Sequence, residues 1–213
     1  MRNKLFYQLI LVTHRQKTPT ETYLNFVVAC AKSGITCVQL REKNLSYEAL
    51  LEFGRQLQPI LKPFSIPLIV NDNIKLAFEL DADGVHLGQS DGDVCKARQQ
   101  LGKHKKIGLT INSIEQIYEA NLLPLDYVGI GAIFPTKNKA NVQTIFGCDG
   151  LKKISSLSKH PVVAIGGIDE NNALAVMQSG ARGIAAIGAF HETKDPILTT
   201  KNLQKILERK SHV

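Results

Sequence analysis

Two aspartates and three cations carry the densest chemical information in this sequence. Asp72 follows the apolar run Pro67–Val70, and Asp91 closes the polar stretch after Gly84–Leu87. Carboxylates on the ends of adjacent strands can hold a hard divalent cation, which prefers oxygen ligands and keeps waters and substrate phosphates in its shell. Each aspartate alone also reads as a helix cap, because each stands just ahead of a helical pattern. Arg41 and Lys43 lie two residues apart at the end of the run Thr36–Leu40 and can project to the same side, and Lys139 adds a third cation. Beside these charges the aspartate pair fits a metal better than two caps. Three cations around a divalent site imply a ligand with several negative charges, such as a diphosphate, and arginine suits bidentate phosphate contact.

A second anion signal lies near the C-terminus. Gly166 and Gly167 follow the run Val162–Ile165, and Gly188 follows Gly183–Ile187. Glycines there let backbone N–H groups approach a phosphate closely, although a glycine pair also serves a plain tight turn. His86, inside Gly84-Val85-His86-Leu87, reads as a packed, hydrogen-bonded histidine. His14, at the end of the first strand, is a site-facing candidate without a partner to make it a mechanism.

These residues need a scaffold that gathers strand ends. Short apolar runs at Tyr7–Thr13, Thr36–Leu40, Pro67–Val70, Gly84–Leu87, Lys106–Leu109, Tyr127–Gly131, Val162–Ile165 and Gly183–Ile187 alternate with amphipathic segments. The helical patterns fall near 20–33, 46–62, 73–80, 92–101, 113–121, 148–158, 170–179 and 196–209. Ser46 and Ser113 sit at helix starts, with Gln116 three residues after Ser113, and Gly34 and Gly180 follow helix ends. Eight βα units without a linker predict one domain over residues 1–213, a compact (β/α)8 TIM barrel. A doubly wound sheet would place a glycine-rich turn after the first strand, where this chain has Thr13-His14-Arg15-Gln16. In a barrel, chemistry sits at the C-terminal strand ends, and the unusual polar residues collect there.

Composition sets outer bounds. Hydrophobic residues make up 44% and charged residues 21% of the 213, ordinary for a soluble globular chain. No apolar run reaches the roughly 18 residues of a membrane helix. Residues 1–12 faintly imitate a signal peptide but end in Thr13-His14-Arg15, so a first strand fits better and a cytoplasmic location is expected. The net charge of +7 is spread along the chain apart from Lys103–Lys106 and the tail, aromatic residues are 6%, and no nucleic-acid motif occurs. Small anionic substrates are the expected partners, with neither nucleic acid nor membrane; association of like subunits stays open. Cys30, Cys37, Cys95 and Cys148 form no CxxC or Cys/His spacing and read as small buried hydrophobes, Cys37 most clearly.

Five segments together resemble a known family. Gln39-Leu40-Arg41-Glu42-Lys43-Asn44-Leu45-Ser46, Val70-Asn71-Asp72, Asp83 to Asp91, Gly129 to Lys139 and Ala164-Ile165-Gly166-Gly167-Ile168 look like the successive motifs of the thiamine-phosphate synthases. They recur in order from the second strand to the last. The resemblance implies a transferase that joins a pyrimidine methyl diphosphate to a thiazole phosphate and releases pyrophosphate, with Mg2+ as cofactor. It implies that Gln39, Arg41, Lys43, Asn71 and Lys139 hold the diphosphate, with Leu40 and Glu42 in the same segment, and that Asp72 and Asp91 bind the magnesium. Arg41, Lys43 and Lys139 would take up the charge of the leaving group. Thr110 would sit against the pyrimidine. Thr136, Lys137, Asn138, Gly166, Gly167 and the Ile187-Gly188 backbone would take the thiazole phosphate. Such chemistry needs positioning and electrostatics rather than a nucleophile, consistent with the lack of a Cys/His or Ser/His pair.

The chain departs from the family pattern at three places. Thr110 and Asn112 stand where a serine and, two residues on, a histidine are common; Asn138 replaces a threonine; Gly188 replaces a serine. Three other functions compete. A thiazole tautomerase would not need Arg41, Lys43, Asp72 and Asp91 together. A non-catalytic phosphate binder has no use for a metal pair. A sugar-phosphate isomerase or epimerase would call for an acid/base pair at the strand ends.

Overall fold

The computed structural model describes residues 5–138 and 144–209. Its elements alternate from the start: β1 (Leu9–Val12), α1 (Thr20–Ser33), β2 (Cys37–Leu40), α2 (Tyr47–Leu61), β3 (Leu68–Asn71), α3 (Ile74–Glu79), β4 (Gly84–Leu87) and α4 (Val94–Leu101). The second half continues with β5 (Lys106–Ile111), α5 (Ile114–Ala120), β6 (Tyr127–Ile130), α6 (Gly147–Leu157), β7 (Val162–Ile165), α7 (Ala173–Gln178), β8 (Gly183–Ala186), the one-turn α8 (Gly188–His191) and α9 (Pro196–Arg209). Every strand pairs in parallel with the next, and β1 pairs with β8 through Leu9↔Ile184 to Leu11↔Ala186, so the sheet closes into a barrel. The expected (β/α)8 architecture is therefore present.

Strand alternation sorts side chains into two cores. Leu9, Leu11, Val38, Leu40, Leu68, Val70, Val85 and Leu87 point outward and pack with helix residues such as Val27, Leu57, Leu76 and Leu203. The intervening positions Ile10, Val12, Cys37, Ile69, Tyr127, Val163 and Ala185 fill the lumen, with Phe6 and Tyr7 packed against them. Both faces are apolar because helices cover the outside and side chains fill the inside. Cys30 and Cys37 are buried as expected, but Cys95 is exposed.

Local signals set several boundaries. Ser46 accepts a hydrogen bond from the Ala49 amide and Ser113 from that of Gln116, the two N-caps legible in the sequence. Gln116 Oε1 reaches back to the Asn112 amide, one residue before the cap. At α1 the chain leaves the helix through Gly34 at φ +119°, a left-handed conformation that glycine adopts freely. In the basic run 103–106, Lys105 pairs with Asp81 and Lys106 with Asp126. Among the described residues no helix is long and apolar enough to cross a membrane.

Candidate active site

The C-terminal ends of the strands open onto a cavity of about 1220 Å3. From β2 come Gln39, Arg41 and Lys43; from β3, Asn71 and Asp72; from the loop after β4, Asp91; from β5, Thr110 and Asn112. The loop after β6 contributes Thr136, Lys137 and Asn138, the loop after β7 Gly166 and Gly167, and the junction of β8 with α8 Ile187 and Gly188. Three of the residues singled out in the sequence stand elsewhere. His14, the candidate at the end of the first strand, meets the Gln16 side chain at 2.6 Å and is not among the residues that line the cavity. Leu40 points outward into the helix-facing core, as strand alternation requires next to inward Gln39. Glu42 accepts a hydrogen bond from the Arg15 amide at 2.8 Å, bracing the loop after β1 rather than lining the cavity. Lys139 lies outside the described residues.

The two aspartates are not caps. Asn73 Oδ1 accepts from the Leu76 amide to cap α3, and Asp93 Oδ1 accepts from Lys96 to cap α4. Asp72 and Asp91 are thus left free for other work, and they lie side by side. Burial pushes the Asp72 carboxyl up to about 6, reinforced by the hydrogen bond to Asp91 and by its charge, while Lys43 and Arg41 pull the other way. Asp91 is aimed by a 2.7 Å hydrogen bond from the Gly88 amide to its Oδ2. Asp72 itself adopts φ +66°. A close pair of carboxylates, one of them hard to ionise, is the donor set a divalent cation relieves. No group of three or more His, Cys, Asp and Glu side chains gathers as a metal cage among the described residues. Two carboxylates suit a magnesium ion, which completes its shell with water and phosphate.

Arg41 faces this pair from a partly buried position. Burial lowers its pKa and the charges of Asp72 and Glu42 oppose that shift. Its amide donates to the buried Thr13 hydroxyl at 2.8 Å, and its Nη2 donates to the Asn138 carbonyl at 3.4 Å. At the opposite rim, Gly166 and Gly167 adopt φ +100° and +64°, which a side chain rarely permits, and a Cβ at Gly167 would meet the Pro135 carbonyl at 2.6 Å. The turn therefore needs glycine on both conformational and spatial grounds.

Several cavity features escaped sequence reasoning. His86 is hydrogen-bonded, as the sequence indicates, with Nδ1 2.9 Å from Tyr127 Oη and Nε2 2.9 Å from Thr110 Oγ1, but it also lines the cavity floor. Tyr127 could have been found by counting two residues back from inward Gly129. Glu192, just past α8, pairs with Lys137 at 3.2 Å and accepts from the Asn138 amide group at 3.1 Å. No local signal marks it. A Cβ at Gly188 would lie 3.3 Å from both Asn138 Nδ2 and Glu192 Oε1. Two of the departures from the family pattern, Asn138 and Gly188, thus face each other across the cavity rim.

Fold and site define a (β/α)8-barrel protein whose cavity at the C-terminal strand ends combines a carboxylate pair, cations and glycine turns. The sequence profile described as thiamine monophosphate synthase matches residues 9–190. A thiamine-phosphate synthase from Chlamydia abortus is 52% identical over 204 residues, covering 96% of each chain, and one from Vibrio campbellii is 42% identical over 190 residues, covering 89% of this chain and 93% of its own. Among solved structures, the thiamine phosphate pyrophosphorylase from Pyrococcus furiosus superposes with a TM-score of 0.85 at 33% identity, covering 96% of both chains. The chain belongs to the thiamine monophosphate synthase family.

Proposed function

We infer that this chain is itself a thiamine-phosphate synthase, a transferase whose one barrel domain spans residues 1–213. It joins the pyrimidine methyl diphosphate to the thiazole phosphate, ordinary or carboxylated. The carbon–oxygen bond to the diphosphate breaks at the pyrimidine methylene, the thiazole nitrogen supplies the electron pair for the new carbon–nitrogen bond, and pyrophosphate leaves. Gln39 and Asn71 orient the diphosphate. Arg41, Lys43 and Lys139 receive the charge that grows on the leaving oxygens, the kind of preorganised stabilisation that dominates such reactions. Thr110, held by His86, fixes one edge of the pyrimidine. Thr136, Lys137, Asn138, Gly166, Gly167 and the Ile187-Gly188 backbone hold the thiazole phosphate within reach of the pyrimidine methylene cation that the departing pyrophosphate leaves.

Asp72 and Asp91 would hold a magnesium ion. When bound, it supplies positive charge to the diphosphate as a Lewis acid. The observation that carries this reading is the adjacent Asp72–Asp91 pair, free of capping duty and facing Arg41 and Lys43. Mixing the protein with both substrates tests it. Thiamine phosphate and pyrophosphate should form in equal amounts with magnesium and fail to form in chelator; no product with magnesium present would sink the assignment.

A further inference from the structure

One buried polar chain is used by none of these steps. Tyr23, on α1, is 3% exposed, and its hydroxyl lies 2.7 Å from His191 Nε2. The other ring nitrogen, Nδ1, lies 2.8 Å from the Ile187 carbonyl oxygen. A carbonyl only accepts, so Nδ1 carries the proton, and Nε2 accepts from the Tyr23 hydroxyl. The Tyr23 oxygen accepts in turn from the His14 backbone N–H at 3.0 Å. Every bond in the chain therefore has a fixed direction, from the loop after β1 through α1 to the end of β8. Burial lowers the His191 pKa, with the Ile187 hydrogen bond and Glu192 opposing and His14 adding to the fall, while burial raises that of Tyr23. Both groups stay neutral, as this sequence of donors requires.

The peptide at the end of the chain joins Ile187 to Gly188 and is trans. In a trans peptide the C=O and N–H point opposite ways. Drawing the Ile187 carbonyl towards His191 turns the Gly188 N–H away from the ring, and Gly188 lines the cavity. The backbone amides of Phe190 and His191 also reach this carbonyl, each at 3.1 Å, so the imidazole is the shortest of three donors. It is also the one that ties the peptide to a distant element, since Tyr23 is 168 residues away. We propose that His191, held by Tyr23, is a positioning residue that sets the Ile187–Gly188 peptide so that the Gly188 N–H serves the phosphate end of the site. This rests on the assignment of the thiazole phosphate to that backbone.

Steady-state kinetics and nitrogen NMR on the full chain test it. His191→Ala should raise KM for the thiazole phosphate about tenfold and leave KM for the pyrimidine diphosphate within about twofold. His191→Asn, whose amide can still donate to the Ile187 carbonyl, should recover most of the loss. Tyr23→Phe, which keeps the ring and loses the hydroxyl, should cost about threefold in the same KM. Imidazole nitrogen shifts should report the Nδ1–H tautomer at neutral pH. Unchanged thiazole-phosphate KM in His191→Ala, equal loss in both KM values, or the Nε2–H tautomer would overturn the proposal. If the wild type forms no thiamine phosphate, the functional reading fails on its own, and the positioning is then read from the Gly188 amide signal. That signal should move on adding inorganic phosphate to the wild type and need about tenfold more phosphate to move in His191→Ala; no movement in the wild type, or movement at equal phosphate in both, overturns the proposal. Should His191→Ala fail to fold, the same comparisons between wild type, His191→Asn and Tyr23→Phe decide.

Discussion

Neighbouring residues at the strand ends divide labour sharply. Asn73 and Asp93 cap helices, whereas Asp72 and Asp91, one and two positions earlier, face each other in the cavity. Substitutions should separate the two jobs. Asn73→Ala loses a cap and should lower unfolding stability by about 1 kcal/mol with the KM for each substrate unchanged. Asp91→Ala and Asp72→Asn should abolish magnesium-dependent turnover while far-ultraviolet circular dichroism stays native; asparagine is the informative choice at position 72 because its φ of +66° disfavours alanine. Full turnover by either aspartate variant would remove the metal assignment. Arg41→Ala and Lys139→Ala should each cost about 2–4 kcal/mol of transition-state stabilisation, measured as kcat/KM, with binding of the thiazole phosphate alone hardly changed. A loss confined to thiazole-phosphate affinity would show the two anion ends to be assigned the wrong way round.

Elements show what a sequence makes legible and what it withholds. All eight strands and the eight long helical patterns stand where periodicity puts them, and β4 and β7 keep their predicted bounds. Errors fall where polar side chains replace helix hydrogen bonds. The pattern near 170–179 begins as helix only at Ala173, because Asp169 Oδ1 accepts from the amides of Asn171 and Asn172 and so builds a turn first. The one-turn α8 is invisible because Gly188-Ala189-Phe190-His191 is too short to show a period. Partners such as Lys137 with Glu192 and Tyr23 with His191 are withheld for another reason. Only barrel closure brings β1, β6 and β8 ends to one rim, and spacing along the chain does not encode that meeting. The end of β5 separates two related activities. Asn112 lines the cavity, and an amide does not exchange protons near neutral pH, as an isomerisation of the thiazole would require of a group there. Incubation with the unisomerised thiazole carboxylate alone should leave it unchanged, and Asn112→His should keep coupling roughly intact. Rapid isomerisation by the wild type would show this loop to be misread.

At the scale of the molecule, the site stands on a filled barrel. Phe6, Tyr7 and Tyr127 pack edge to face at the base of the lumen, with centroids 5.0 and 5.7 Å apart. Above them the floor of the cavity is set by His86, which Tyr127 holds. At the His86–Thr110 end of the site, stability and geometry are therefore joined through the lumen. Ile69, fully buried in that inner core, tests the join. Ile69→Ala should cost about 2–5 kcal/mol of unfolding free energy, and should also loosen the pyrimidine end, raising the KM for the diphosphate more than for the thiazole phosphate. Chemical denaturation and kinetics on one preparation would check both; a stability loss with no change in either KM would uncouple core from site.

The paired carboxylates of Asp72 and Asp91 have a thermodynamic reading as well as a chemical one. A half-buried acid beside another acid, on backbone at φ +66°, weakens the folded state wherever no cation is present. Stability alone does not favour such a pair, and a metal site is a reason for a fold to carry it at some cost in stability. Neutralising the pair should expose that cost: metal-free Asp72→Asn should melt about 2–4 °C above the metal-free wild type. Added magnesium should raise the wild-type melting temperature and leave that of the variant in place.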